Sequence, residues 1–286
     1  MPSPHYSIKP MTRSEFSLVI DWAAAEGWNP GWHDRNCFYA ADAEGFLMGF
    51  LAGEPISAIS AVKYGKTFGF IGFYLVQPAF RGCGYGFQIW QAGLDYLTGR
   101  NIGLDGVIAQ QANYAKAGFK LAHRNIRYRG IKQPAISSHG ATEGIVALPS
   151  LPLRTVMAYD RLFFPDDRSA FLTSWITQPQ SRALGLIHDQ VLAGYGVLRP
   201  CREGYKIGPL FADTPQFAEA LLLALTAYVP PNQPFYLDVP EANTQAVALA
   251  QAQGMSSVFE TARMYSQKAP ELPLNQIFGI TTFELG

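Results

Sequence analysis

The stretch Val76-Gln-Pro-Ala-Phe-Arg-Gly-Cys-Gly-Tyr-Gly86 places an Arg-x-x-Gly-x-Gly turn between an apolar strand and a helix. Phe68 to Val76 is aromatic and β-branched and is closed off by Pro78, which reads as a buried strand. Beyond the proline, Gly82, Gly84 and Gly86 let backbone N–H groups converge on one point. Phe87 to Leu97 then opens a helix whose positive dipole end faces that point. Such a nest favours a pyrophosphate.

Spacing separates three glycine-loop patterns. Gly-x-Gly-x-x-Gly counted from Gly82 and Gly84 meets Phe87 at its third glycine, which excludes a dinucleotide fingerprint. Gly65-Lys66-Thr67 supplies the end of a P-loop, but Ser60 stands at its first glycine and the tripeptide precedes a strand, so it reads as a hairpin turn. The third pattern, Val-x-Pro-x-x-Arg-Gly-x-Gly-x-Gly after a strand, resembles the acetyl-coenzyme A site of the GNAT superfamily of N-acetyltransferases. Tyr114-Ala-Lys-Ala-Gly-Phe119 is similar to that family's Tyr-x-x-x-Gly-Phe. Between the two motifs, Gly103 to Ile108 reads as a strand and Gln110 to Ala117 as a short helix capped by Gly118. The family's Asn, seven residues before the Tyr, is replaced here by Val107.

The 286 residues, 48% hydrophobic and 13% aromatic, suffice for two cores. The 22 basic and 22 acidic side chains cancel, which argues against nucleic acid and against a polybasic membrane patch. Cys37, Cys83 and Cys201 are odd in number and far apart, so neither a disulfide framework nor a metal site is expected, and a cytoplasmic location fits. Leu221 to Val229 is too short to span a membrane, and Met1 to Lys9 carries no apolar signal region.

A charge-poor tract over 133–152 separates a first unit, 1–132, from a second, 153–286. In the first, a helix over Arg13 to Glu26 and a tryptophan loop, Trp28 to Asp34, precede strands near Gly45 to Leu51, Pro55 to Tyr64 and Phe68 to Val76. The order recurs beyond the tract: helix Arg168 to Ile176, strands Ala183 to His188, Gln190 to Leu198 and Tyr205 to Pro209, helix Pro215 to Tyr228, strand Pro234 to Val239. Asn243 to Met255 is similar to the superfamily's Asn-x-x-Ala helix and its turn. The fold class expected is therefore α/β (α+β), with two tandem GNAT-like folds, each a mixed, mostly antiparallel twisted sheet flanked by helices. The second copy lacks the glycine loop and has Ala250 where Tyr would stand, and Thr214 with Pro215 reads as an ordinary helix start. Chemistry is expected in the first half, with structure or recognition left to the second.

The resemblance implies acetyl-coenzyme A as cosubstrate, held by Arg81, Gly82, Cys83, Gly84, Tyr85 and Gly86 at the pyrophosphate and by the backbone of Leu75 and Val76 at the pantetheine. It implies Tyr114 as the acid that protonates the departing sulfur. Cys83 reads as an ordinary loop thiol rather than a nucleophile. Acyl transfer to an amine also needs a base. Phe70 to Val76 carries no carboxylate, which leaves Tyr74, a water chain or a residue from elsewhere. The tryptophan loop offers Trp28, Asn29 and Trp32 as acceptor-pocket residues, with Tyr74, and His33 or Asp34 as base or cation partner. The competing reading makes Asp34 a helix cap and His33 a solvent-facing side chain. The function expected is acetyl transfer to a primary amine of a small metabolite, an amino-acid-like compound or a lysine. The alternative is a non-catalytic acyl-coenzyme A binding module.

Overall fold

The computed structural model describes residues 5–134 and 143–286, so the middle of the expected linker lies outside the described residues. The first half opens with an edge strand that the sequence pattern does not announce, β1 (Tyr6–Pro10). Helix α1 (Arg13–Ala25) starts at a capping box: Glu15 N donates to Thr12 Oγ1 at 3.2 Å, and Thr12 N to Glu15 Oε2 at 2.7 Å. The chain continues through α2 (Asp34–Ala41), β2 (Phe46–Leu51), β3 (Glu54–Tyr64) and β4 (Phe68–Val76). It then forms α3 (Tyr85–Tyr96), β5 (Asn101–Val107), α4 (Gln111–Lys116) and β6 (Lys120–Ile131). Gly65-Lys66-Thr67 turns the β3–β4 hairpin, and Asp166 of the second half accepts from the Lys66 and Thr67 amides at 3.1 and 2.9 Å.

The second half repeats the order with β7 (Ile145–Ala147), α5 (Leu153–Asp160), α6 (Ser169–Trp175), β8 (Arg182–His188), β9 (Val191–Pro200) and β10 (Tyr205–Ala212). It ends with α7 (Pro215–Thr226), β11 (Pro234–Pro240), α8 (Thr244–Ala252), β12 (Ser256–Tyr265) and β13 (Ile277–Gly279). Thr214 caps α7 by accepting from Phe217 N at 3.2 Å, with Pro215 in the first turn. Asn243 caps α8 and also donates to Ile277 O at 3.0 Å.

One mostly antiparallel sheet runs through both halves in the order β1-β2-β3-β4-β5-β12-β6-β11-β10-β9-β8-β7, with β13 paired to β10. The halves trade strands at the centre. β12 lies between β5 and β6 of the first half, and β6 pairs with β11 of the second from Ile131↔Pro234 to Asn125↔Pro240. The core is shared too: Phe38 of α2 stacks on Trp175 of α6 at 5.9 Å, and Phe16, Phe73, Phe171 and Phe211 join one buried cluster.

Four buried ion pairs brace this centre. Asp34 meets Arg199, Asp105 meets Arg263, Asp238 meets Arg127, and Asp160 meets Arg168, all at 2.6 to 2.8 Å. Beside Arg263, His123 of β6 has a buried Nε2 with no partner among the described residues. Burial, then the Arg263 charge, pushes its pKa down to about 4. The unfolded imidazole takes a proton near pH 6.5. Between those values the unfolded state therefore binds more protons, and stability falls as pH drops from about 6.5 to 4 by at most about 3 kcal/mol. Urea midpoints against pH should show His123→Gln flattening that fall; an unchanged slope would exclude His123 as its source.

Candidate active site

The parallel ladder between β4 and β5 runs from Phe68↔Asn101 to Ile71↔Leu104 and stops. A bulge follows, in which Phe73 and Tyr74 together oppose Ile59. Phe73 sits there at φ 44°, in the left-handed region that a bulky residue adopts only when its surroundings impose it. The strands part beyond this point, leaving the backbone of Gly72 to Val76 unpaired on the side facing β5. A cavity of about 530 Å³ fills the wedge.

The glycine loop forms its phosphate end. Gly82 and Gly84 have φ of 77° and 84°, and a Cβ added to either would meet open space. The amides of residues 82 to 87 donate to no described backbone or side-chain acceptor, and α3 begins directly behind them. Unsatisfied N–H groups converging at a helix start suit an anion. Arg81 is fastened by its Nε to Val76 O at 2.9 Å and by its guanidinium to Glu26. Its side chain thus braces the loop to β4 and α1.

Tyr114 stands on the opposite wall. Its ring lies over Gly106, where an added Cβ would fall 2.3 Å from its Cε2, and packs 5.4 Å from Trp90. The phenol faces the cavity and hydrogen-bonds to no described residue. Burial, with a smaller contribution from Tyr74, holds its pKa well above the ordinary value. At neutral pH it is a protonated, unengaged donor.

Of the residues singled out from the sequence, Trp28, Tyr74, Leu75, Val76, Arg81, Gly82, Gly84, Gly86 and Tyr114 line the cavity. Cys83 and Tyr85 do not: Cys83 is exposed with its thiol toward Arg81 O, and the Tyr85 ring packs against Tyr6 at 4.9 Å. The remaining tryptophan-loop residues are turned toward the second half. Asn29 is tied to Glu203 N and O at 2.8 and 3.0 Å, and Trp32, 54% exposed, carries the Arg202 guanidinium on its face. His33 Nε2 is 3.1 Å from Gln180 Oε1. Asp34, 1% exposed, accepts from Arg199 Nε at 2.8 Å and Gly31 N at 3.0 Å. Both of its oxygens are committed, so neither His33 nor Asp34 reaches the cavity as base or cation partner.

The cavity is also not confined to the first half. Phe259 and Thr261 of β12 and Phe283 and Glu284 of the segment after β13 form one of its walls. That segment runs along β4 so closely that a Cβ on Gly72 would sit 2.0 Å from Glu284 O. No local pattern marks these residues. The one indirect signal was a carboxylate missing from β4, with nothing to say where its substitute would stand.

Residues 9–119 match the family described as "Acetyltransferase (GNAT) family", and residues 156–279 match "Acetyltransferase (GNAT) domain". The chain belongs to the GNAT acetyltransferase family and contains two such domains. It is 29% identical over 281 residues to a holothin acyltransferase of Pseudoalteromonas sp. (strain SANK 73390), covering 98% of this chain and 95% of that one. Among solved structures, it resembles a putative acetyltransferase from Pyrococcus horikoshii, with TM-score 0.83, 24% identity and coverage of 98% and 96% of the two chains. A tandem GNAT protein from the clavulanic acid biosynthesis pathway superposes with TM-score 0.61 at 14% identity, covering 93% of this chain and all of that one. Among the described residues, no helix is long and apolar enough to cross a membrane.

Proposed function

We propose that the protein transfers an acetyl group from acetyl-coenzyme A to a primary amine, in the cavity between β4 and β5. The observation that carries this reading is the wedge itself, with free amides of residues 82–87 at one end and the free Tyr114 phenol on its wall. The cradle fits a pyrophosphate because its amides are unsatisfied and the space before Gly82 and Gly84 is open. When bound, the cosubstrate supplies an activated acyl group on a thioester. Leu75 offers unpaired backbone to the pantetheine arm beside the Val76 carbonyl that Arg81 holds, and Tyr114 donates its proton to the departing sulfur. Phe73, Phe259 and Phe283, with Trp28, give the acceptor an aromatic lining that suits a ring-bearing amine. The similarity to a holothin acyltransferase makes holothin one acceptor to try.

Thiol release with acetyl-coenzyme A across 2-phenylethylamine, tryptamine, lysine, lysine peptides and holothin tests the reading. Turnover of a ring-bearing amine is expected. Cofactor binding with no release from any amine would instead establish a binding module. Gly84→Val should weaken coenzyme A binding at least about tenfold, because a β-branched residue is disfavoured at φ 84° and its side chain enters the anion space. Calorimetric affinity equal to the native would defeat the cradle.

A further inference from the structure

β4 brings no carboxylate into the cavity, yet the cavity is not without one. Three acidic residues line it. Glu26 is engaged by Arg81, and Asp105 by Arg263 at 2.9 and 2.6 Å and by Asn125 at 2.8 Å. Glu284 is different. It is 5% exposed, lines the cavity, and makes no side-chain hydrogen bond or ion pair with a described residue.

A buried carboxylate left without a partner costs stability, so its persistence calls for a use. The cations nearest to it are already committed. Arg127 on β6 grips Asp238 on β11 at 2.6 and 2.8 Å and donates to Trp28 O at 3.0 Å; Lys206 on β10 donates to the same carbonyl at 3.1 Å. Both interact with Glu284 through space without hydrogen-bonding to it, which leaves its oxygens free. Around the cavity the other titratable groups are Tyr74, Tyr114 and the two engaged pairs.

The placement is fixed as firmly as that of Tyr114. Tyr64 Oη donates to Leu285 O at 3.1 Å, Leu285 N to Thr282 Oγ1 at 2.9 Å, and Arg168 Nη1 to Thr281 Oγ1 at 3.0 Å. The residues flanking Glu284 are thereby held on both sides, and its backbone is pressed against Gly72 where the strands part.

We propose that Glu284 is the general base of the transfer, supplied to the first half's cavity by the last segment of the second. The proposal rests on the acetyltransferase reading above. Glu284 takes a proton from the amine nitrogen as the C–N bond forms; the C–S bond breaks, and Tyr114 gives its proton to the sulfur. Protonated Glu284 then returns its proton through solvent to the Tyr114 phenolate, so the cycle closes with amide and free thiol as products. An acceptor arriving as ammonium first gives one further proton to Glu284, which passes it to solvent before the attack.

Glu284→Gln tests this with 2-phenylethylamine as acceptor. Turnover at pH 7 should fall about 100-fold, the loss expected of a general base. The deficit should shrink about tenfold per pH unit above 7, because bulk solvent then frees the amine in place of Glu284. In calorimetry, coenzyme A affinity should stay within twofold of native, while 2-phenylethylamine, which loses its carboxylate, should bind about tenfold more weakly. Turnover within threefold of native, or a deficit independent of pH, overturns the assignment. Should Gln impair folding, Glu284→Asp carries the test: a rate at least fivefold lower with the native pH profile is expected, and a full-rate Asp variant overturns it. Failure of the native protein with every amine would defeat the acetyltransferase reading; an active native with an equally active Glu284→Gln defeats the base alone.

Discussion

Tyr114→Phe is expected to lower kcat roughly 1,000-fold while coenzyme A affinity stays within twofold of native, since positioned proton donors contribute about 10²–10⁴. The substitution removes one oxygen and nothing else. The ring's contacts, over Gly106 and against Trp90, are made by carbon atoms that phenylalanine keeps. Its hydroxyl has no partner to leave behind, so the melting temperature should move by less than about 2 °C. On the proposed reading, what disappears is the proton for the sulfur. Burial keeps the phenol protonated through the neutral range, so the native enzyme's alkaline limit should not arise from Tyr114 below pH 10. The measurement is thiol release at saturating acetyl-coenzyme A beside calorimetric binding. A Tyr114→Phe enzyme within threefold of native turnover would remove Tyr114 from the chemistry.

The second large effect concerns stability. Asp160→Ala should cost about 3–5 kcal/mol, because it strands a buried guanidinium. Arg168, whose side chain is 2% exposed, meets both oxygens of Asp160 at 2.8 and 2.6 Å, and Tyr195 Oη donates to the same carboxylate at 2.5 Å. Burial alone would disfavour the cation; Asp160 more than offsets this and holds its pKa raised. Removing Arg168 as well abolishes the uncompensated charge, so the double variant Asp160→Ala/Arg168→Ala should lose at least about 2 kcal/mol less than the sum of the singles. Urea denaturation of the four proteins measures the coupling, and additive losses would show that the pair is energetically idle. Because Arg168 also anchors Thr281, Asp160→Ala should reduce turnover in the fraction that remains folded.

The cradle was readable because everything it needs is local: glycines two apart, a proline to stop the strand, and a helix behind. Tyr114 was readable at a fixed distance from it. The starts of α7 and α8 were equally legible, since Thr214 and Asn243 cap the residues that immediately follow them. Legibility ended where partners are remote in sequence. Asp34 looked available for chemistry because its true partner, Arg199, stands 165 positions away. The exposure of Trp32 and the ties of Asn29 to Glu203 follow from the same docking of the loop on the second half. Glu284 sits in a segment with no periodicity, next to Gly72, whose missing side chain only a structure explains. Strand pairing was the hardest to read, because alternation along β6 and β12 says which face is buried and nothing about which neighbour each will choose.

The traded strands bear on how the chain comes off the ribosome. When residue 132 has been made, β5 and β6 exist, but the strand that must lie between them is still more than a hundred codons away. The nascent first half therefore waits with a slot open and two long edges unsealed, which are surfaces prone to pairing with the wrong chain. Its pocket cannot acquire its last wall until residues 259 to 284 have been made. On the proposed reading, activity therefore arrives only once both halves of the chain have been made and have closed on one another.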